Sequence, residues 1–125
     1  MAVLHHPRFV LTMRVLFWVA LVLCVIFTLL PIEIRTGVND KTEHMVAFGT
    51  LAGLAAFGFP AELRWRVAER LSFVGAMIEL VQGIPALHRH SDIGDWIADT
   101  VAILVVMAVA ALLQPRPARD TAPAA

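Results

Sequence analysis

Glu79, Gln82, His88, Arg89, His90, Asp92, Asp95 and Asp99 crowd residues 78–100 of a chain that is otherwise almost all hydrocarbon. Ionisable groups are costly in such a setting, and a functional role is the default hypothesis for them. Asp40, Lys41 and His44 add a second cluster upstream. Glu79 and His44 have the chemistry of a general base or proton carrier, since an imidazole near neutrality is easily tuned by Asp40 or Glu79. Lys41 and Arg89 could hold a phosphate, sulfate or carboxylate, Arg89 through its bidentate fork. Each has a plainer reading. Glu79 and Gln82 suit an interhelical hydrogen-bond pair, and His44 suits an interfacial histidine bonded to a loop. Lys41 and Arg89 suit neutralisation of Asp40, Glu79 and Asp95. Asp99 is expected to be protonated or paired with Arg89.

Other chemistries find little support. His44, Glu79, His88, His90 and the aspartates include metal-ligand types, but no His-Glu-x-x-His pattern is present and no spacing selects an ion. No metal and no cofactor is therefore expected. Ser72, Ser91 and Cys24 stand in no nucleophile motif. His5 and His6 read as ordinary tail residues. Cys24 is the single cysteine and cannot close an intrachain disulfide. The formal net charge is zero, so nothing points to nucleic acid.

The elements that must position these groups read as membrane helices. Of 125 residues, 59% are hydrophobic and 16% charged, against about 45–50% and about 25% in a soluble domain. Mean hydropathy is +0.77. The expected fold is all-α, a polytopic membrane protein with four transmembrane helices in a small bundle. Residues 1–14 read as an N-terminal tail, and a first span over about 15–32 closes at Pro31. Its basic start resembles a signal peptide, but the apolar run is long and no small-x-small cleavage site follows.

A second helix over about 40–60 is predicted to open on an Asp40–Glu43 capping box, with Gly49, Gly53 and Ala56 as a small-residue stripe. A short amphipathic connector carries Arg64, Arg66 and Arg70. The third helix spans about 67–84, with Ser72, Gly75, Ala76, Glu79 and Gln82 on one face that looks into the bundle. The fourth spans about 92–113. Asp92, Asp95 and Asp99 share a face there, the first two in the dipole-favoured first turn and Asp99 about 10 Å further in. Trp96 fits an interfacial aromatic. Residues 114–125 form a Pro/Ala-rich tail expected to be disordered.

Four spans place both termini and the 2–3 connector on one side. That side holds Arg8, Arg14, Arg64, Arg66, Arg70, Arg116 and Arg119; the other holds Arg35, Lys41 and Arg89. By the positive-inside rule the termini are cytoplasmic, and the polar helix ends converge on the extracytoplasmic side of the cell membrane.

Asp40-Lys41-x-x-His44-x-x-x-Phe48, then Glu79-x-x-Gln82, then Arg89-x-x-Asp92-x-x-Asp95-x-x-x-Asp99, in this order and spacing, resembles the VanZ-like membrane proteins over about residues 39–113. Asp99 stands where many members carry Asn, and Ala102 where many carry Gly. The resemblance implies a small helical membrane domain of the bacterial cell envelope, with Asp40, Lys41, His44, Glu79, Gln82, Arg89, Asp95 and Asp99 at its site. It also implies an association with teicoplanin resistance.

The expected function is an extracytoplasmic-facing polar pocket that recognises an envelope amphiphile, whether lipid, lipid-linked precursor or glycopeptide. Lys41 and Arg89 would contact its anion, while Glu79, Gln82 and Asp95 orient those cations; membrane lipids surround the bundle, and it could oligomerise. Two rivals belong to other classes. One is a membrane-embedded hydrolase or transferase using Glu79 or His44 as base. The other is a structural accessory subunit with no ligand. A transporter fits poorly, because four helices leave little room for a pathway.

Overall fold

The computed structural model describes Leu4 and residues 6–30 and 37–114. These form four helices and, among the described residues, no strand. Helix α1 is Pro7–Leu29, α2 Asp40–Gly58, α3 Arg64–Gln82 and α4 Ile93–Leu113, with a 3-10 turn at Pro85–Leu87 before α4. Helix α2 sits at the centre, packed most extensively on α4 and then on α1, while α3 packs chiefly on α4.

Local chemistry explains the boundaries and corrects several expectations. Residues 7–14 are helical rather than tail: Pro7 supplies a preorganised first position, His6 caps by accepting from the Arg8 N–H, and Phe9 meets Phe57 edge-on at 6.1 Å. Asn39 caps α2 by accepting from the Lys41 N–H at 2.9 Å; Asp40 lies inside the first turn and does not form the predicted box. The basic connector is already α3 from Arg64 onward. Asp92 caps α4, accepting from the Gly94 N–H at 2.8 Å. The tail beyond Gln114 and residues 31–36, Arg35 among them, lie outside the described residues.

Helix C-termini present carbonyls with no intrahelical donor. Here side chains from neighbouring helices meet them. Arg14 of α1 donates to the Gly58 carbonyl at 3.2 Å and lies over the Phe59 ring at 5.1 Å. Arg64 of α3 donates to the Ala110 and Gln114 carbonyls at the end of α4. Gln82 of α3 donates to the Thr28 carbonyl at the end of α1 at 2.8 Å. At Gly58 the contact depends on glycine, because a Cβ there would stand 2.9 Å from the Arg14 backbone nitrogen.

The interior is graded from one end to the other. On α4 the buried positions run Asp95, Asp99, Ile103, Met107, Ala110; on α2 they run from His44 through Phe48 and Leu51 to Ala55; on α3 from Val67 through Gly75 to Glu79 and Gln82. Phe48, Leu51 and Ile103 are fully buried. The outer surface is largely apolar, with Val19, Val22 and Ile26 exposed on α1, Val46 on α2, Phe73 and Leu80 on α3, and Ile97, Leu104 and Val105 on α4, while the first turns of α3 also expose Arg66, Glu69 and Arg70.

Helices α1 and α4 are each long and apolar enough to cross a membrane, at hydropathies of 2.6 and 2.4. Only 6% of the α1 span and 22% of the α4 span is buried within the protein, unlike a soluble core helix. Apolar outside and ionisable inside is an arrangement that suits lipid.

Candidate functional site

The first turns of α2 and α4 meet the last turn of α3 at one end of the bundle. Lys41 Nζ bonds Asp95 Oδ1 at 2.9 Å and lies 3.5 Å from Asp92 Oδ2. The ammonium passes over Gly94, where a Cβ would come within 2.8 Å of it. Asp92 is exposed; the Gly94 N–H and then the Lys41 charge hold its carboxyl below the usual carboxylate range.

Below this rim the groups are buried. His44 Nδ1 lies 3.3 Å from Asp99 Oδ2 and 4.0 Å from Glu79 Oε1. Glu79 Oε2 accepts from the Asp92 backbone N–H at 2.8 Å and from the Ser91 hydroxyl at 3.3 Å. A carboxylate at the end of α3 thereby holds the chain that starts α4. Glu79 Oε1 and Asp99 Oδ1 are buried acceptors with no hydrogen-bond donor. Deeper still, Ser72 and Thr100 share a hydrogen bond at 2.8 Å, and Trp96 Nε1 donates to the Ser72 carbonyl at 3.0 Å.

Comparison with family models, curated proteins and solved structures finds no match.

The structure brings together Asp40, Lys41, His44, Glu79, Asp92, Asp95 and Asp99, drawn from three helices. It assigns some of them different partners from those expected. Asp99 pairs with His44 and not with Arg89. Arg89 is half-buried in the α3–α4 connection and, among the described residues, makes no ion pair or hydrogen bond. Glu79 orients neither cation; Asp95 alone among the expected groups orients Lys41. Gln82 serves the α1 carbonyl. Trp96 is half-buried and its indole N–H bonds α3. Asp92 leaves the buried face of Asp95 and Asp99, because its side chain turns back to cap the helix.

Ser91, Thr28, Ser72 and Thr100 belong to the network without having been singled out as site residues. Ser91 carried a faint signal as the residue before a helix-capping Asp. Thr28 carried none, because Gln82 uses its backbone.

The open groove beside the site is apolar, lined by Val38, Thr42, Glu43, Val46 and Ala47 on the flank of α2. It presents hydrocarbon next to the charged rim. Chemically, the site can hold and pass a proton between imidazole and carboxylates, or hold a cation among them.

Proposed function

We propose that this is a VanZ-like integral membrane protein of the bacterial cell envelope, with four spans and both termini cytoplasmic. Its polar end opens on the extracytoplasmic side and recognises an anionic envelope amphiphile, a lipid or a lipid-linked or glycopeptide molecule. The observation that carries the reading is the gathering of His44, Glu79, Asp95 and Asp99 at one end of a bundle whose outer surface is largely apolar. Buried ionisable groups in lipid-facing helices are expensive and mark functional sites.

Within that reading Arg89 is the principal anion contact. Among the described residues its guanidinium pairs with no acid, whereas Lys41 is already engaged by Asp95 and Asp92. The apolar groove from Val38 to Ala47 would take an acyl or prenyl chain beside the charged headgroup. A role in teicoplanin resistance is implied by the resemblance alone.

Native mass spectrometry in mild detergent tests this reading, wild type beside Arg89→Ala. A defined anionic amphiphile bound to the wild type and reduced about tenfold in the variant supports it, the loss corresponding to about 1.4 kcal/mol. The same amphiphile retained by Arg89→Ala, or a bare wild type, contradicts it.

The His44–Asp99 contact favours a second reading, a membrane-embedded hydrolase or transferase in which Asp99 orients His44 as base. Under that reading, turnover disappears in His44→Gln while amphiphile binding survives.

A further inference from the structure

Asp40, His44 and Asp95 each bring one ligand-type atom to within 4.8 Å of one another. We propose that these three residues bind a divalent transition metal of the zinc class. Asp40 and His44 are four apart and share a face of α2. Asp95 comes from the first turn of α4, the helix most closely packed on α2.

The imidazole is already held as metal-ligating histidines are. Asp99 lies at 3.3 Å from Nδ1, and a proton there fixes the tautomer and leaves Nε2 with a free lone pair. Charge points the same way. Asp40, Asp92, Asp95, Asp99 and Glu79 face one ammonium, that of Lys41, and the His44 ring.

A second, independent observation is the pair of buried acceptors without donors. Glu79 is 6% exposed and Asp99 1%, yet among the described residues Glu79 Oε1 and Asp99 Oδ1 accept no hydrogen bond. Both side chains press on the same imidazole. A cation on Nε2 would make the ring more positive, and both carboxylates lie on the Nδ1 side of that ring, so the imidazole would carry the compensation to them.

The donor set selects the class of ion. One imidazole with carboxylates suits zinc and its neighbours, whereas calcium and magnesium favour all-oxygen shells of six or more ligands. Tetrahedral zinc with bonds of about 2.0–2.1 Å sets its donors about 3.3 Å apart, so donors that lie within 4.8 Å of one another must close by up to about 1.5 Å. Asp40 is exposed and free to turn. Asp95 gives Oδ1 to Lys41 and keeps Oδ2 without a hydrogen bond among the described residues. Three protein ligands leave a fourth position for water or an anionic group. The metal site stands apart from the amphiphile reading, since it needs neither Arg89 nor the groove.

Zinc titration of the full chain in detergent, by calorimetry with a competing chelator, tests the proposal. The wild type is expected to bind one zinc ion per chain. Asp40→Asn, at an exposed position, is expected to keep its helix content and bind at least tenfold more weakly. Asp99→Asn should weaken binding about 10–100-fold by releasing the ring. Lys41→Met should tighten it, because the competing ammonium is gone from Asp95. If His44→Gln fails to fold, Asp40→Asn and Lys41→Met still decide. Absence of saturable zinc binding, or binding that Asp40→Asn leaves unchanged, overturns the proposal. So does binding that persists in Asp40→Asn and disappears in a His88→Gln/His90→Gln variant.

Discussion

Glu79 on the last turn of α3 accepts a hydrogen bond from the backbone N–H of Asp92, the residue that caps α4, at 2.8 Å. One side chain thus joins the end of one helix to the beginning of the next, beneath the rim where Lys41 pairs with Asp95. Glu79→Gln keeps a carbonyl acceptor for that N–H, and Glu79→Ala does not. The alanine variant should lose about 1–3 kcal/mol, the cost of a buried backbone donor left unsatisfied. The glutamine variant should lose clearly less. Thermal melts in detergent, with hydrogen exchange read at the Asp92 amide, check both.

The His44–Asp99 contact lies between α2 and α4, with both side chains buried. Removing one partner of such a pair leaves the other uncompensated, so Asp99→Ala should destabilise the bundle by about 3 kcal/mol. Asp99→Asn retains an acceptor at the same place and should cost less than half of that. Comparison of the two melting curves settles whether the contact bears on stability.

At the opposite end, Gly58 lets α1 approach α2 closely. A methyl group there meets backbone, which cannot rotate away. Gly58→Ala should therefore destabilise by about 1–3 kcal/mol, as overpacking does. Gly94→Ala puts its methyl group against the flexible end of Lys41 and should be milder. The order of the two melting temperatures is the check.

The Asp92 cap carries a pH dependence whose sign follows from its lowered carboxyl. A group with a depressed folded-state value contributes stability above its ordinary value of 3.8, and that contribution is lost as pH falls through the lower folded value. Helix content followed from pH 6 to pH 2 should show an acid transition below pH 3.8 that Asp92→Asn, which still caps, lacks.

The helix count and the polar face of α3 were legible because periodicity and Pro/Gly punctuation report local structure. The start of α4, expected at about 92, lies at Ile93 with Asp92 as its cap, for the same reason. The partners of the polar groups were not legible. Gln82 meets a backbone carbonyl of α1, and a backbone group has no side-chain signature in the sequence. Arg89 was expected to reach an acid, but His44 takes Asp99 and Lys41 takes Asp95, so charge alone could not assign the pairs. The Asp40–Glu43 interval suits a capping box, yet Asn39 is the cap, and that shift of one residue moves Asp40 into the first turn. The Asp40–His44–Asp95 grouping needs α4 laid beside α2, which no spacing in the chain encodes.

Under the proposed function, the end bearing His44, Glu79 and Asp95 faces outward from a membrane-spanning bundle whose other end faces the cytoplasm. Cysteine labelling tests it most directly, in a Cys24→Ala background with His90→Cys in the α3–α4 connection or Ala61→Cys in the α2–α3 connection. Both positions are exposed. The account predicts that a membrane-impermeant maleimide labels His90→Cys in intact bacterial cells and labels Ala61→Cys only after permeabilisation. Labelling of both positions from the same side, or of Ala61→Cys alone in intact cells, would contradict it.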